Sequence, residues 1–226
     1  MNLRPFVIAA WIAVAAMLGL AAWAWSQIPA GASVAVHWGI DGSADGFAPK
    51  EIALLILPGL GAALAALFAV LPRFEPRSAN LARSGPAYVQ VGVALMIVLG
   101  LIQLALVLAA VGRPLPMELV VGGTVGGMFV VVGNVLGKVR SNFVFGVRTP
   151  WTLASDLSWN KTHRLVGRLF VVLGLAMVAA AIVGDSALIV VLIGGIATIL
   201  IVAFGYSYRV WKVDPDKQPI GRQPAP

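Results

Sequence analysis

The chain of 226 residues contains no cysteine and only two histidines, and just 11% of its residues are charged. The first absence excludes disulfides, thiolate metal sites and cysteine nucleophiles, and it leaves the redox compartment open. The low charge excludes an ordinary soluble domain, which carries about 25% charged residues. A third scarcity narrows the function. No acidic, basic or histidine side chain lies near the middle of any long apolar run. Transporters driven by protons or sodium usually keep an ionisable group there, so ion-coupled transport is disfavoured.

What is present is apolar surface in long blocks; 60% of the residues are hydrophobic. Six stretches, 5–27, 52–71, 87–111, 119–137, 165–183 and 187–208, are each about 20 residues long, enough for a helix to cross a hydrocarbon layer of roughly 30 Å. The fold expected is all-α: a polytopic membrane bundle of six transmembrane helices with a small strand-turn extracellular loop. The first run exceeds the 7–15 residues of a signal-peptide core, so it is expected to be retained as a span. Pro58 should kink the second span or end its first turn. Gln90, Gln103, Asn134 and Thr198 read as helix-to-helix hydrogen-bonding groups. The fourth span carries Gly122 and Gly126, Gly123 and Gly127, and Gly133 and Gly137 at four-residue spacing, which marks it as a packing centre within the bundle or at a homodimer contact.

The net charge of +7 is a topology signal. Fourteen of the sixteen Lys and Arg residues fall on one side if the N-terminus is cytoplasmic, leaving only Lys50 and Arg113 outside. Lys and Arg collect on the cytoplasmic side, so both termini are expected there. The lipid bilayer is thus the first partner, and the net charge calls for no direct nucleic-acid binding. The polar, Pro-rich tail 214–226 is expected to be disordered.

Two connections are longer than a turn requires. In the outer segment 28–51, Val34, Val36 and Trp38 alternate as in a short strand, and Asp41-Gly42 and Asp45-Gly46 signal turns. His37, Asp41 and Asp45 are weak metal candidates. Asp41, Ser43, Asp45 and Gly46 match positions 1, 3, 5 and 6 of a calcium loop, but Ile52 stands where a bidentate Glu is required. Local turn capping is the favoured account of these residues, because Asp-Gly turns are common for purely local reasons.

The inner segment 138–164 is dense in Arg140, Asn142, Arg148, Thr149, Thr152 and Asn160. Thr149-Pro150 should interrupt the chain, and Ser155 should cap a helix with Asp156 in its first turn. On that helix Trp159, His163, Val166 and Phe170 share one face, and Lys161, Arg164 and Arg168 another. Three roles fit the segment: a hydrogen-bonded plug under the bundle, a docking surface for a protein, or an anion site. No nucleophile and base are arranged for catalysis; Thr162 and His163 are adjacent in sequence and do not face each other. An enzyme is not expected, nor is a cofactor.

Both segments resemble a known family. Ile28-Pro29, His37-Trp38-Gly39, Asp41-Gly42, Asp45 and Lys50 are similar to the DUF1648 motif. Gly137-Lys138, Arg140, Asn142, Gly146, the run Arg148-Thr149-Pro150-Trp151-Thr152-Leu153, Trp159, and Lys161-Thr162-His163-Arg164 resemble the C-terminal signature of SdpI-type immunity proteins. Gly39 stands where the family usually has Asn, which removes a side-chain amide, and Val147 where Ile is common. The resemblance divides the chain into a DUF1648-like unit, 1–71, an SdpI-like four-span unit, 72–213, and the tail. It implies a bacterial plasma-membrane protein that protects against a secreted peptide toxin outside and holds a small repressor at its inner face. A small-molecule, lipid or peptide transporter is the alternative, and a metal-dependent membrane enzyme the third.

Overall fold

A computed structural model describes residues 1–39, 42–184 and 186–220. Six of its helices are long and apolar enough to cross a membrane. Helix α1 spans Arg4–Trp25 and leads into an antiparallel hairpin, β1 (Ser33–Trp38) and β2 (Ala44–Pro49), which runs directly into α2 (Lys50–Val70). A 3-10 turn and the short α3 (Ser78–Arg83) connect to α4 (Gly85–Ala110) and α5 (Met117–Leu136). The one-turn α6 (Pro150–Leu153) precedes α7 (Asp156–Val183) and α8 (Ala187–Val213). Prolines stand at the starts of α1, α4 and α6, where a missing N–H leaves no intrahelical bond unmade.

The helices form two groups. Helices α1, α2 and α4 pack around Phe6, Met17 and Met96. Helices α5, α7 and α8 pack around Leu136, Val166 and Met177. The α4–α5 contact joins the groups. The hairpin closes one end of the bundle, where Val34 is buried against Ala24, Ile28, Leu54 and Leu106. Residues 137–155 close the opposite end, which carries most of the basic residues.

The α5–α7 pair is a backbone-to-backbone contact. A Cβ on Gly126 would stand 2.7 Å from the carbonyl oxygen of Gly174, and one on Gly167 2.6 Å from that of Gly133. At Gly122 the Ala181 methyl takes the space a Cβ would need, and the Met177 carbonyl oxygen would stand 3.0 Å from it. Gly167, Gly174 and Ala181 recur at every second helical turn and present a second small-residue face to the first. The glycine face of α5 is therefore used within the chain. Gly123 and Gly127 have open space beside them.

Pro58 does not end α2, which is continuous through it. Proline leaves the carbonyl four residues earlier, that of Leu54, without a donor. The fully buried Gln103 of α4 supplies one, Nε2 donating to Leu54 O at 3.0 Å. Gln103 meets its expected role as a link between helices. Asn134 and Thr198 instead bond back to Val130 and Gly194 of their own helices, and Gln90 is exposed. Of the tail, residues 214–220 are described. Asp214 is only 4% exposed, and Gln218 N donates to Ala154 O at 2.8 Å. The C-terminal residues 221–226, including Arg222, lie outside the described residues.

The two glycine faces give a paired test. Gly126→Val or Gly133→Val should lower stability by about 1–3 kcal/mol, the usual cost of overpacking. Gly123→Val and Gly127→Val should leave the thermal unfolding midpoint in detergent nearly unchanged.

Candidate functional site

At the hairpin end, the motif residues divide into a clasp and an exposed pair. Lys50 begins α2 yet is 7% exposed. Its Nζ donates to Ile28 O at 3.0 Å and to Trp25 O at 3.4 Å, and it lies 5.1 Å from the Trp25 ring centroid. A cation there satisfies carbonyls left open past the end of α1 and complements that helix's negative end. Trp38 packs half-buried on the same core. Lys50 and Trp38 therefore hold the hairpin on the bundle.

His37 and Asp45 face outward, with side chains 72% and 50% exposed. Asp45 Oδ1 lies 2.5 Å from His37 Nδ1, so the ring donates to the carboxylate. The register opposes His37 to Gly46, whose lack of a side chain accommodates the His37 Cβ. Gly42 adopts a positive φ of 74° and abuts the Glu118 carboxylate at the start of α5. Asp41 lies outside the described residues, and among those described no three metal-ligating side chains cluster. A groove of about 760 Å³ runs beneath this pair. Its upper wall is His37, Trp38 and Asp45; its lower wall is Glu118 of α5 with Leu188 and Leu192 of α8. The groove is polar at His37, Asp45 and Glu118 and apolar at Leu188 and Leu192. Glu118, Leu188 and Leu192 were not legible as partners of the hairpin, because they come from helix starts far along the chain.

At the basic end, the signature residues of the inner segment are mostly interior. Asn142 folds its own loop: Oδ1 accepts from Val144 N and Phe145 N at 2.8 and 2.9 Å, and Nδ2 donates to Arg140 O at 2.7 Å. Thr149 caps α6 in a reciprocal box with Thr152 and donates to Ser207 Oγ of α8 at 3.0 Å. Pro150 takes the first position of α6, and Trp151 packs edge-on against Phe204. Ser155 caps α7 through Ser158 N, as its sequence position implies, and donates to Asp214 Oδ2 at 2.5 Å.

Trp159 is buried, donates Nε1–H to Val139 O at 2.7 Å, and stacks on His163 at 4.0 Å. The partners of His163 fix its tautomer. Nδ1 lies 2.8 Å from the Trp159 carbonyl, which can only accept, and Nε2 accepts from Val147 N at 2.9 Å. His163 is therefore a neutral ring holding two backbone groups. Gly146 passes over it with φ 121°, and a Cβ there would come within 2.5 Å of His163 Nε2. Thr162 is fully buried, and its hydroxyl has no partner among the described residues. Arg140, Arg148 and Arg164 are exposed, with Arg164 lying across Gly137.

A second layer of this network comes from the α2–α4 connection. Buried Glu75 accepts from Arg77 N at 2.8 Å and from Phe143 N at 2.9 Å. Arg77 donates to Ser141 Oγ and to Leu153 O. Asn80 donates to Ser141 O at 2.9 Å, and Ser84 Oγ accepts from Arg140 N at 2.9 Å. The sequence offered one hint: Glu75 is the only acid between the second and third spans.

The architecture defines a multi-pass membrane protein with a distinctive motif at each end. Two family models match those ends: the SdpI/YfhL protein family over residues 138–207, and the domain of unknown function DUF1648 over residues 12–62. The resemblance to DUF1648 thus holds in the outer segment and that to SdpI-type proteins in the inner one. Among individual relatives, Immunity protein SdpI of Bacillus subtilis (strain 168) is 26% identical over 118 residues, 52% of this chain and 57% of that protein. The match spans little more than half the length of that curated relative. No solved structure matches the chain.

Two substitutions probe the assembled motifs. Gly146→Ala should cost about 1–3 kcal/mol, because it forces a side chain into a strained backbone region over His163. Lys50→Met keeps the length of the side chain and removes its donors, and should cost about 1–3 kcal/mol by leaving the Ile28 carbonyl unpaired. Thermal unfolding followed by tryptophan fluorescence reads both.

Proposed function

We propose that this protein is a non-enzymatic immunity and signalling protein of a bacterial plasma membrane, with both termini cytoplasmic. The observation that carries the reading is the groove under the hairpin, built by the DUF1648-like motif together with the outer ends of α5 and α8. A secreted peptide toxin lying at the membrane surface would meet it, its apolar side on Leu188 and Leu192 and its polar side on His37, Asp45 and Glu118. The similarity to an immunity protein and the orientation of the basic residues support this placement.

The inner motif has a divided role in this reading. Asn142, Thr149, Thr152, Trp159 and His163 form the plug that holds α4, α5, α7 and α8 together. Docking of a small repressor then falls to the exposed Arg140, Lys161 and Arg164. A homodimer through α5 would use Gly123 and Gly127, since the other glycine face is occupied by α7. The His37–Asp45 pair acts as a polar contact and requires no metal.

The reading is tested by expressing the chain in a toxin-sensitive bacterium and challenging with the peptide. Survival should rise with the wild-type chain and fall back at equal membrane expression with His37→Ala/Asp45→Ala. Unchanged killing with the wild-type chain would overturn the proposal.

A further inference from the structure

A second cavity, of about 500 Å³, lies at the basic end and has no part in the proposed function. It falls within the range of about 300–1,000 Å³ typical of small-ligand sites. Helices α5, α7 and α8 wall it with Val132, Val166, Phe170 and Ile199, and the signature segment closes it with Gly146 and Val147. Leu200 and Phe204 stand at its α8 side and are themselves 64% and 58% exposed, so the cavity opens sideways onto the surface that faces hydrocarbon. Its walls are apolar throughout, except for Arg148 and the already bonded Thr149.

Arg148 is the charged group on this wall. It is exposed, and among the described residues its guanidinium donates to the carbonyl of Phe143. Among the described residues it pairs with no carboxylate. A guanidinium carries five donors in a fork that matches phosphate oxygens. An apolar slot open to the bilayer with an unpaired guanidinium on its wall is complementary to one kind of molecule: an acyl chain attached to an anionic head.

We propose that this cavity is a binding site for an anionic phospholipid of the leaflet at the basic end, with one acyl chain between α5, α7 and α8 and its phosphate on Arg148. The site joins the walls of these three helices to the loop that carries Arg148, so an occupied site would brace Gly146–Thr149 against α8. It stands independently of any peptide at the hairpin end.

The test is native mass spectrometry of the detergent-purified full chain after titration with phosphatidylglycerol, phosphatidylcholine or a free fatty acid. One phosphatidylglycerol should be retained in preference to phosphatidylcholine. Arg148→Gln should weaken retention about fivefold or more, the scale of one cation near an anionic headgroup. Arg148→Lys should keep most of it. Val132→Trp, which fills the slot and leaves the charge, should abolish it, with folding of each variant verified by its unfolding midpoint. Equal retention of the two phospholipids, retention that survives Val132→Trp in a folded protein, or preference for the fatty acid alone would each overturn the proposal.

Discussion

The contact on which the rest depends is the backbone approach of α5 to α7. Gly133 against Gly167 and Gly126 against Gly174 bring the two helices closer than any side chain would allow. Because the pair is antiparallel, closeness at mid-span also sets the ends. The exit of α5 at Gly137 and Val139 is brought beside the entry of α7 at Trp159 and Arg164. Trp159 can then reach the Val139 carbonyl, and His163 can hold Val147. In a hydrocarbon setting there is little hydrophobic drive between helices, so such close packing supplies much of the association.

The two ends solve a shared problem differently. Backbone groups at the edge of a membrane need partners where water is scarce. At the hairpin end a single cation, Lys50, satisfies the carbonyls that follow α1 and fixes the hairpin above them. At the basic end the same work is spread over many small polar side chains. Asn142, Thr149, Ser155 and His163 each hold backbone groups of a neighbouring turn, and Glu75 holds two. This arrangement leaves the charges distributed unequally. Most buried polar groups are engaged in structure, while His37, Asp45, Arg140, Arg148 and Arg164 remain on the outside of their layers. In the proposed reading, recognition at either end falls to the exposed members of each motif and not to the motif as a whole.

Much of the architecture was legible in the chain. Span number follows from uninterrupted apolar length, since a hydrocarbon layer demands about 20 residues per crossing. Ser155 as a helix cap and Thr149-Pro150 as a break follow from local backbone chemistry and hold in the structure. The glycine pairs of α5 were legible as a contact surface, but not its partner. A four-residue spacing states that something approaches closely and carries no information about what. The hairpin was visible only as a strand and turns; its second strand, Ala44–Pro49, lacks the β-branched residues that mark a strand and is formed by pairing with β1.

By itself, then, the sequence determined the class, the number of spans, the local caps and the segments that carry the family resemblance. These are short-range properties, set by composition and by neighbours within a turn or two. Tertiary structure alone decided that Lys50 is a clasp, that His163 is an inward-facing brace, and that Glu75 and Asp214 belong to the network at the basic end. It also decided that Glu118 and the start of α8 complete the groove at the hairpin end. Each of those facts joins residues far apart in the chain, and only the packed helices bring their partners within reach of one another.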